Sequence, residues 1–320
     1  MAVTVVGSIA YDAVKTPFGE RERMLGGSAV HFALAASFFD TVRVVGPVGD
    51  DFAESDYELL RARGVQVDDI EHVRGGRTFF WRGEYGWDLN DRTTLDTQLH
   101  VFADFQPKLS EASRQADLLF LANIQPELQR QVRDQCTDAR FTALDSMNLW
   151  IETARDALIA AISEVDCVLL NDAELRQLTE EPNLLRATRQ IRAWGPQAVI
   201  AKQGEYGAAM FTDEGFFALP AFPLETVVDP TGAGDSFAGG FIGFLAAHRE
   251  HRLDHELLRQ AMAYGTALAS FNVEEFGVER VLRLTREEIV DRVGELQQIT
   301  HFDDRPIALT ANRDSTRNSG

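Results

Sequence analysis

Cysteine is nearly missing from this 320-residue chain: Cys136 and Cys167 are the only two, and neither has metal-ligand spacing around it. Two isolated thiols exclude a disulfide scaffold, fit a reducing compartment and read as packing residues. No apolar run reaches the roughly 18 residues that a membrane-spanning helix needs. The opening MAVTVVGSIAYD lacks a basic stretch and meets Asp12 too early for a secretory signal, so the cytoplasm is the expected location. Positive charge is also scarce, with 31 Lys and Arg against 50 Asp and Glu and a net charge of −19. Such a surface repels phosphate backbones and anionic lipid, so neither nucleic acid nor a membrane is an expected partner. Lysine is the rarest cation: Lys15, Lys108 and Lys202 stand against 28 arginines. Genome composition or adaptation to salt would each give that bias. A compact ammonium suits phosphate, which sets Lys202, at the end of the apolar run QAVIAK, apart.

What is present is an ordinary globular composition, 45% hydrophobic and 25% charged. Short apolar runs at 3–7, 42–46, 117–122, 141–145, 166–170 and 197–202 predict strands. Helical patterns lie between them, near 28–39, 51–63, 126–136, 151–162, 172–179 and 184–194. Strands without polar alternation are buried on both faces, and the intervening helices serve as crossovers. The expected fold class is therefore α/β, a mostly parallel sheet covered by helices. Residues 65–87 break the rhythm: they alternate in strand fashion around Gly75-Gly76, as a small β appendage would. Residues 88–108 are polar and poorly periodic, and 310–320 (TANRDSTRNSG) read as a disordered tail.

Residues 229–241, DPTGAGDSFAGGF, carry the chemistry. Phe237, Phe241 and Phe244 share one helical stripe, so a core-facing helix begins near residue 233. Gly239, Gly240 and Gly243 suit close packing of that helix on a neighbour. Its first turn offers unpaired N–H groups and a positive dipole end, and the small residues Gly232, Ala233 and Gly234 let an anion approach. Asp235 stands beside this anion site, either as a first-turn cap or as a proton acceptor for a hydroxyl that attacks phosphorus. The stretch is neither a Walker A loop nor a GxGxxG fingerprint.

DPTGAGDSFAGGF resembles the C-terminal signature of ribokinase-like sugar and nucleoside kinases, the PfkB family. VTVVGSIAYD (3–12), MLGGSAVHFALAASFF (24–39) and VRVVGPVGDDFAE (42–54) resemble its N-terminal segments, in the expected order. The resemblance implies a three-layer α/β/α kinase domain over 1–309, with a β lid formed by about 9–27 and 65–108. It implies ATP and Mg2+, with Asp235 as catalytic base and Gly232, Ala233 and Gly234 as the anion hole. Asn171 and Glu174 in LLNDAEL match an Asn-x-x-Glu element, with Glu174 holding magnesium through water; on the residues alone, Asn171 is a helix cap. Lys202, Gly204 and Gly207 match the turn that lines the nucleotide, and Phe276 and Gly277 the closure of the adenine pocket. Asp229 and Thr231 match a monovalent-cation site that would take K+. Asp12, Gly26 and Gly27 would hold the acceptor, since a carboxylate accepts two hydroxyl hydrogen bonds. Phe79, Phe80, Trp81 and Trp87 would cover the acceptor, form the lid's own core, or pair two subunits in a homodimer.

The chain departs from the ribokinase pattern at His31, where the pattern has asparagine, and at Asn123, where it has a sugar-binding glutamate. Both are expected to contact the acceptor. In the stretch at 145–148, Trp150 follows where several sugar kinases carry arginine. Ribose specificity is therefore not implied. The expected acceptor is the hydroxymethyl group of a sugar or sugar-like molecule, with a nucleoside as the alternative. A non-catalytic sugar- or nucleotide-binding protein on the same fold is a third reading, which has no need for Asp235.

Overall fold

Runs of Val, Leu and Ala without polar alternation become strands enclosed on both faces. In the computed structural model, which describes residues 3–303, thirteen strands are found among the described residues. They are β1 (Val3–Val6), β2 (Ala10–Thr16), β3 (Gly19–Gly26), β4 (Val42–Val48), β5 (Ile70–His72), β6 (Phe79–Tyr85) and β7 (Arg92–Gln98). Then come β8 (Leu118–Leu121), β9 (Phe141–Asp145), β10 (Cys167–Asn171), β11 (Ala198–Lys202), β12 (Ala208–Phe211) and β13 (Phe216–Leu219). The expected domain end at 309 and the expected tail 310–320 lie outside the described residues.

Nine strands form one sheet in the order β13-β12-β11-β10-β9-β8-β1-β4-β5. From β11 to β5 all neighbours are parallel, while β12 and β13 fold back antiparallel along one edge. Helices Ser28–Ala36, Ala233–Ala247 and His255–Asn272 bury their apolar stripes on one face. Helices Pro126–Gln135, Arg155–Ile162, Asp172–Thr179 and Leu184–Arg192 cover the other. This is the helix-covered, mostly parallel sheet expected from the alternating pattern, in the three-layer α/β/α form that the resemblance implies. The two cysteines are buried, and burial pushes both thiols up, as packing residues require.

A second sheet, β3-β2-β6-β7, hangs from the main one. Only three residues separate the end of β1 from the start of β2, so the small sheet sits over the carboxyl ends of the main strands. Its expected extent needs correction. Val65, Val67 and Ile70 are buried in the main core, and β5 pairs in parallel with β4, so this stretch closes the edge of the large sheet. Gly75, with φ +76, turns the chain from that edge into β6 and closes no hairpin. The polar stretch after residue 88 contains β7, an exposed edge strand whose sequence RTTLDTQ has no apolar face to announce it. The expected helix 151–162 is two helices, Asn148–Thr153 and Arg155–Ile162, broken at Ala154.

Helix Ala233–Ala247 starts where its phenylalanine stripe predicts. Methyl groups on Gly239 and Gly240 would overlap the carbonyls of Phe32 and Tyr264, so the glycines admit helices Ser28–Ala36 and His255–Asn272 to backbone contact. That packing fixes where the first turn of the helix points.

Candidate active site

Parallel strands present their carboxyl ends on one side, the usual position for ligands in α/β sheets. Here Asp145 ends β9, Asn171 ends β10 and Lys202 ends β11. The helix Ala233–Ala247 begins opposite them. Its N-cap Gly232 takes φ +76, and no side chain caps the first turn. The Ala233 N–H is taken by the Pro230 carbonyl at 3.2 Å, and those of Gly232, Gly234 and Asp235 remain open among the described residues.

Lys202 Nζ donates to Asp145 Oδ2 at 2.6 Å, and a methyl group at Gly234 would lie 3.0 Å from that nitrogen. Burial works against the Lys202 charge, but Asp145 and then Glu174 outweigh it and hold its pKa above the ordinary value. Asp235 is partly buried in the same cleft. Its pKa is pushed up to about 7, first by burial and then by the charge of Asp145, with Lys202 opposing. Asn171 and Glu174 form a reciprocal capping box: Glu174 N–H donates to Asn171 Oδ1 at 2.7 Å, and Asn171 N–H to Glu174 Oε2 at 2.8 Å. Burial raises the Glu174 carboxyl above its usual range, against the pull of Lys202.

On the other side of the cleft, Asp12 is buried in β2, and its pKa is pushed up to about 7 by burial and then by Asp229. A methyl group on Gly26 would overlap the Asp12 carboxylate, and the Gly27 N–H helps to hold its charge. The predicted acceptor group Asp12, Gly26 and Gly27 is thus assembled at one place. Asp229 is fully buried and accepts N–H groups from Thr231 and Gly277, both at 2.9 Å. Tyr85, at the end of β6, approaches Thr231 with 3.2 Å between hydroxyls, which brings the small sheet down onto the turn.

Several expected residues are placed elsewhere. His31 is buried beneath Gly232, where a methyl group on Gly232 would overlap its ring. Asn123 is tied to the helix behind it, accepting from Trp150 Nε1 at 2.9 Å and donating to Met147 Sδ at 3.0 Å. Phe276 packs with Val14 and Tyr85 of the small sheet, under the Arg21 guanidinium at 4.7 Å. Gly277 follows it to that side because its N–H is needed by Asp229. Gly207, with φ +99, lies against the backbone of Leu219 and Ala221 and serves the turn between β11 and β12. Gly204 does face the cleft rim, where Asn90 Oδ1 approaches it and accepts from Glu205 N–H at 3.3 Å. The aromatics of the small sheet mostly pack on protein: Phe79 stacks on Phe102 at 5.4 Å, Phe80 meets the main core and Trp81 joins the Tyr85 cluster. Trp87 is 86% exposed.

Sequence reasoning missed Asn272, Tyr85 and Arg92. Arg92 opens β7 directly opposite Tyr85 and lies 5.8 Å from the Trp81 ring. Directly paired residues project from the same face of a sheet, so Arg92 faces the cleft. Its charge lowers the pKa of Asp12, Glu174 and Asp235. No local pattern in RTTLDTQ marks it.

Among the described residues no group of three or more His, Cys, Asp or Glu could hold a metal by itself. Nor is any described helix long and apolar enough to cross a membrane.

The site can be set beside known proteins. Residues 2–283 match the model of the pfkB family of carbohydrate kinases. A cytidine kinase from Thermococcus kodakarensis is 29% identical over 248 residues, 75% of this chain and 87% of that protein. A nucleoside kinase from Methanocaldococcus jannaschii is 21% identical over 272 residues, covering 84% of this chain and 85% of the relative. The solved nucleoside kinase of Methanocaldococcus jannaschii superposes with a TM-score of 0.74 at 20% identity, covering 92% of this chain and 98% of that one. That of Burkholderia thailandensis in complex with inosine gives 0.73 at 21%, covering 92% and 97%. These structures share the fold. A family match across nearly the whole described chain settles the membership: this protein belongs to the pfkB family of carbohydrate kinases, phosphotransferases with an alcohol group as acceptor.

Proposed function

We propose that the chain transfers the γ-phosphoryl group of ATP to the hydroxymethyl group of a sugar-like acceptor, with Asp235 as general base. The observation that carries this reading is the meeting of Asp235, the uncapped first turn at Gly232–Ala233–Gly234 and the Lys202 ammonium in one cleft. Asp235 takes the hydroxyl proton, the hydroxyl oxygen attacks the γ-phosphorus, and ADP leaves. Aligned N–H groups hold the charge on the transferring group. A carboxylate whose pKa stands near 7 is matched to proton transfer at neutral pH. Asp12, with Gly26 and Gly27, holds the acceptor hydroxyls, and the small sheet excludes water.

Magnesium takes oxygen ligands and keeps its waters, which suits the carboxylate of Glu174, whose Oε2 accepts the Asn171 N–H while its other oxygen is left over among the described residues. Glu174 would hold it through water, and the ion would supply charge neutralisation on the phosphates. Asp229 and Thr231, expected at a K+ site, act in this reading as the brace of the turn, because both Asp229 oxygens already accept N–H groups. Of the two acceptor classes we favour a nucleoside, the class named for two relatives that align over most of this chain. A homodimer through the small sheet would use the exposed Trp87 and Phe18.

ADP release with magnesium and ATP, scored over cytidine, inosine, adenosine, ribose and fructose, tests the proposal. A nucleoside is expected to give the highest kcat/KM, and no acceptor-dependent release anywhere in the panel would overturn the kinase reading. Asp235→Asn is expected to keep the fold and ATP binding while lowering kcat by about 10²–10⁴-fold. Turnover near wild type would remove Asp235 from the base role.

A further inference from the structure

We infer that His31 and Asn272 form a positioning pair that fixes the anion-hole turn, with His31 acting as a neutral donor through Nδ1. The inference rests on the kinase reading of the Gly232–Ala233–Gly234 turn and reassigns His31 from the acceptor to that turn.

Asn272 ends the helix His255–Asn272 and is fully buried. Its Nδ2 donates to the Thr231 carbonyl at 2.7 Å. A carbonyl only accepts, so the amide cannot be turned round, and Oδ1 must face the other way. There Oδ1 meets two groups, Ser236 Oγ and His31 Nδ1, each at 3.0 Å. An amide oxygen only accepts, so the proton of His31 sits on Nδ1. His31 Nε2 is buried with no partner among the described residues. A proton there would leave a buried imidazolium, which burial disfavours; the nearby Asp229 charge and the Asn272 bond only partly offset this. Nε2 therefore carries a lone pair.

The contacts of this pair bracket the phosphate turn. Asn272 grips Thr231 on one side and Ser236 on the other. The His31 ring lies under Gly232 itself. No side chain caps the first turn of helix Ala233–Ala247, so a free helix end of this kind would fray. Helices Ser28–Ala36 and His255–Asn272 hold it from beneath instead, through two side chains 241 positions apart. Held in this way, the N–H groups keep their aim without any group occupying the space the phosphate needs. Misplacing such donors by about 1 Å costs on the order of 100-fold in rate.

The test uses the full-length enzyme, magnesium ATP and the best acceptor of the panel above. His31→Phe keeps the ring and removes the donor; Asn272→Leu keeps the shape and removes both functions. Each is expected to lower kcat by about 10–100-fold with acceptor KM within about threefold, as for loss of support to an oxyanion donor. His31→Asn, whose amide N–H can stand near the Nδ1 position, is expected to return kcat to within about fivefold of wild type. A tenfold rise in acceptor KM with kcat retained in His31→Phe would make His31 an acceptor ligand and overturn the inference. Unchanged kcat would overturn it equally. Nitrogen-15 NMR of the imidazole decides independently of turnover, and of whether Asn272→Leu folds. A proton on Nδ1, none on Nε2 and no titration between about pH 6 and 9 is expected. An Nε2–H tautomer refutes the pair, whereas a wild type inactive on every acceptor refutes only the kinase reading.

Discussion

Asp12 keeps its proton to about pH 7 because it is buried and faces Asp229, and folding must bear that cost. Its folded pKa exceeds the unfolded value of about 3.9, so between pH 4 and 7 the folded chain holds a proton that the unfolded chain releases. Stability from this group is therefore present at low pH and lost as pH rises through about 7. Asp12→Asn is expected to melt several degrees above wild type at pH 8, at roughly 2 °C per kcal/mol in a chain of this size. The gap should close towards pH 4, and calorimetric melts at both pH values check this. An equal gap at both would trace the gain to packing rather than ionisation. Asp12 and Asp235 could be picked out as candidates because each stands in a local motif, Asp12 closing an apolar run and Asp235 preceding one. Asn272 could not, because it acquires its role from partners 36 to 241 positions away, and FNVEEF has no signature of its own. His31 could be picked out as a candidate, but its contact with Asn272 depends on where another helix crosses.

At the scale of elements, the buried strands and the capped helix Asp172–Thr179 could be read directly, since burial on both faces and a capping box leave marks in consecutive residues. Edge strands leave fainter ones. β7 is solvent-exposed along most of its length and reads as loop, yet it carries the one arginine that the small sheet aims at the cleft. The clasp between Asn90 and Glu205, together with that between Tyr85 and Thr231, joins the small sheet to both halves of the site. With the small sheet held on the site in this way, Arg92 adds positive charge near Asp235, and that charge favours the ionised base. Arg92→Met is expected to move the acid limb of the kcat/KM profile to higher pH, because the carboxyls it faces would hold their protons more tightly. Turnover at pH 7 should fall about tenfold or more, the scale for loss of one charge stabiliser. Arg92→Lys should restore the limb. A profile that drops uniformly, with its limb unmoved, would mean that Arg92 serves only the packing of β7 and Trp81.

The whole molecule carries a net charge of −19, and its ion pairs lie mostly at the surface, where each is worth about 0–1 kcal/mol. Salt weakens those pairs but also screens the larger self-repulsion of the unmatched carboxylates, and the second effect should win. Screening lengths fall from about 10 Å at 0.1 M to about 3 Å at 1 M, so most of the gain must arrive below roughly 0.5 M. The melting temperature is therefore expected to rise between about 0.05 and 0.5 M potassium chloride and then level off. Choline chloride at equal ionic strength should reproduce the curve, since screening does not depend on which cation supplies it. A plateau in both salts makes the shortage of lysine a matter of composition. A rise that continues above about 1 M in potassium chloride alone would instead mark a surface adapted to a saline interior, where carboxylates gain stability by organising hydrated potassium.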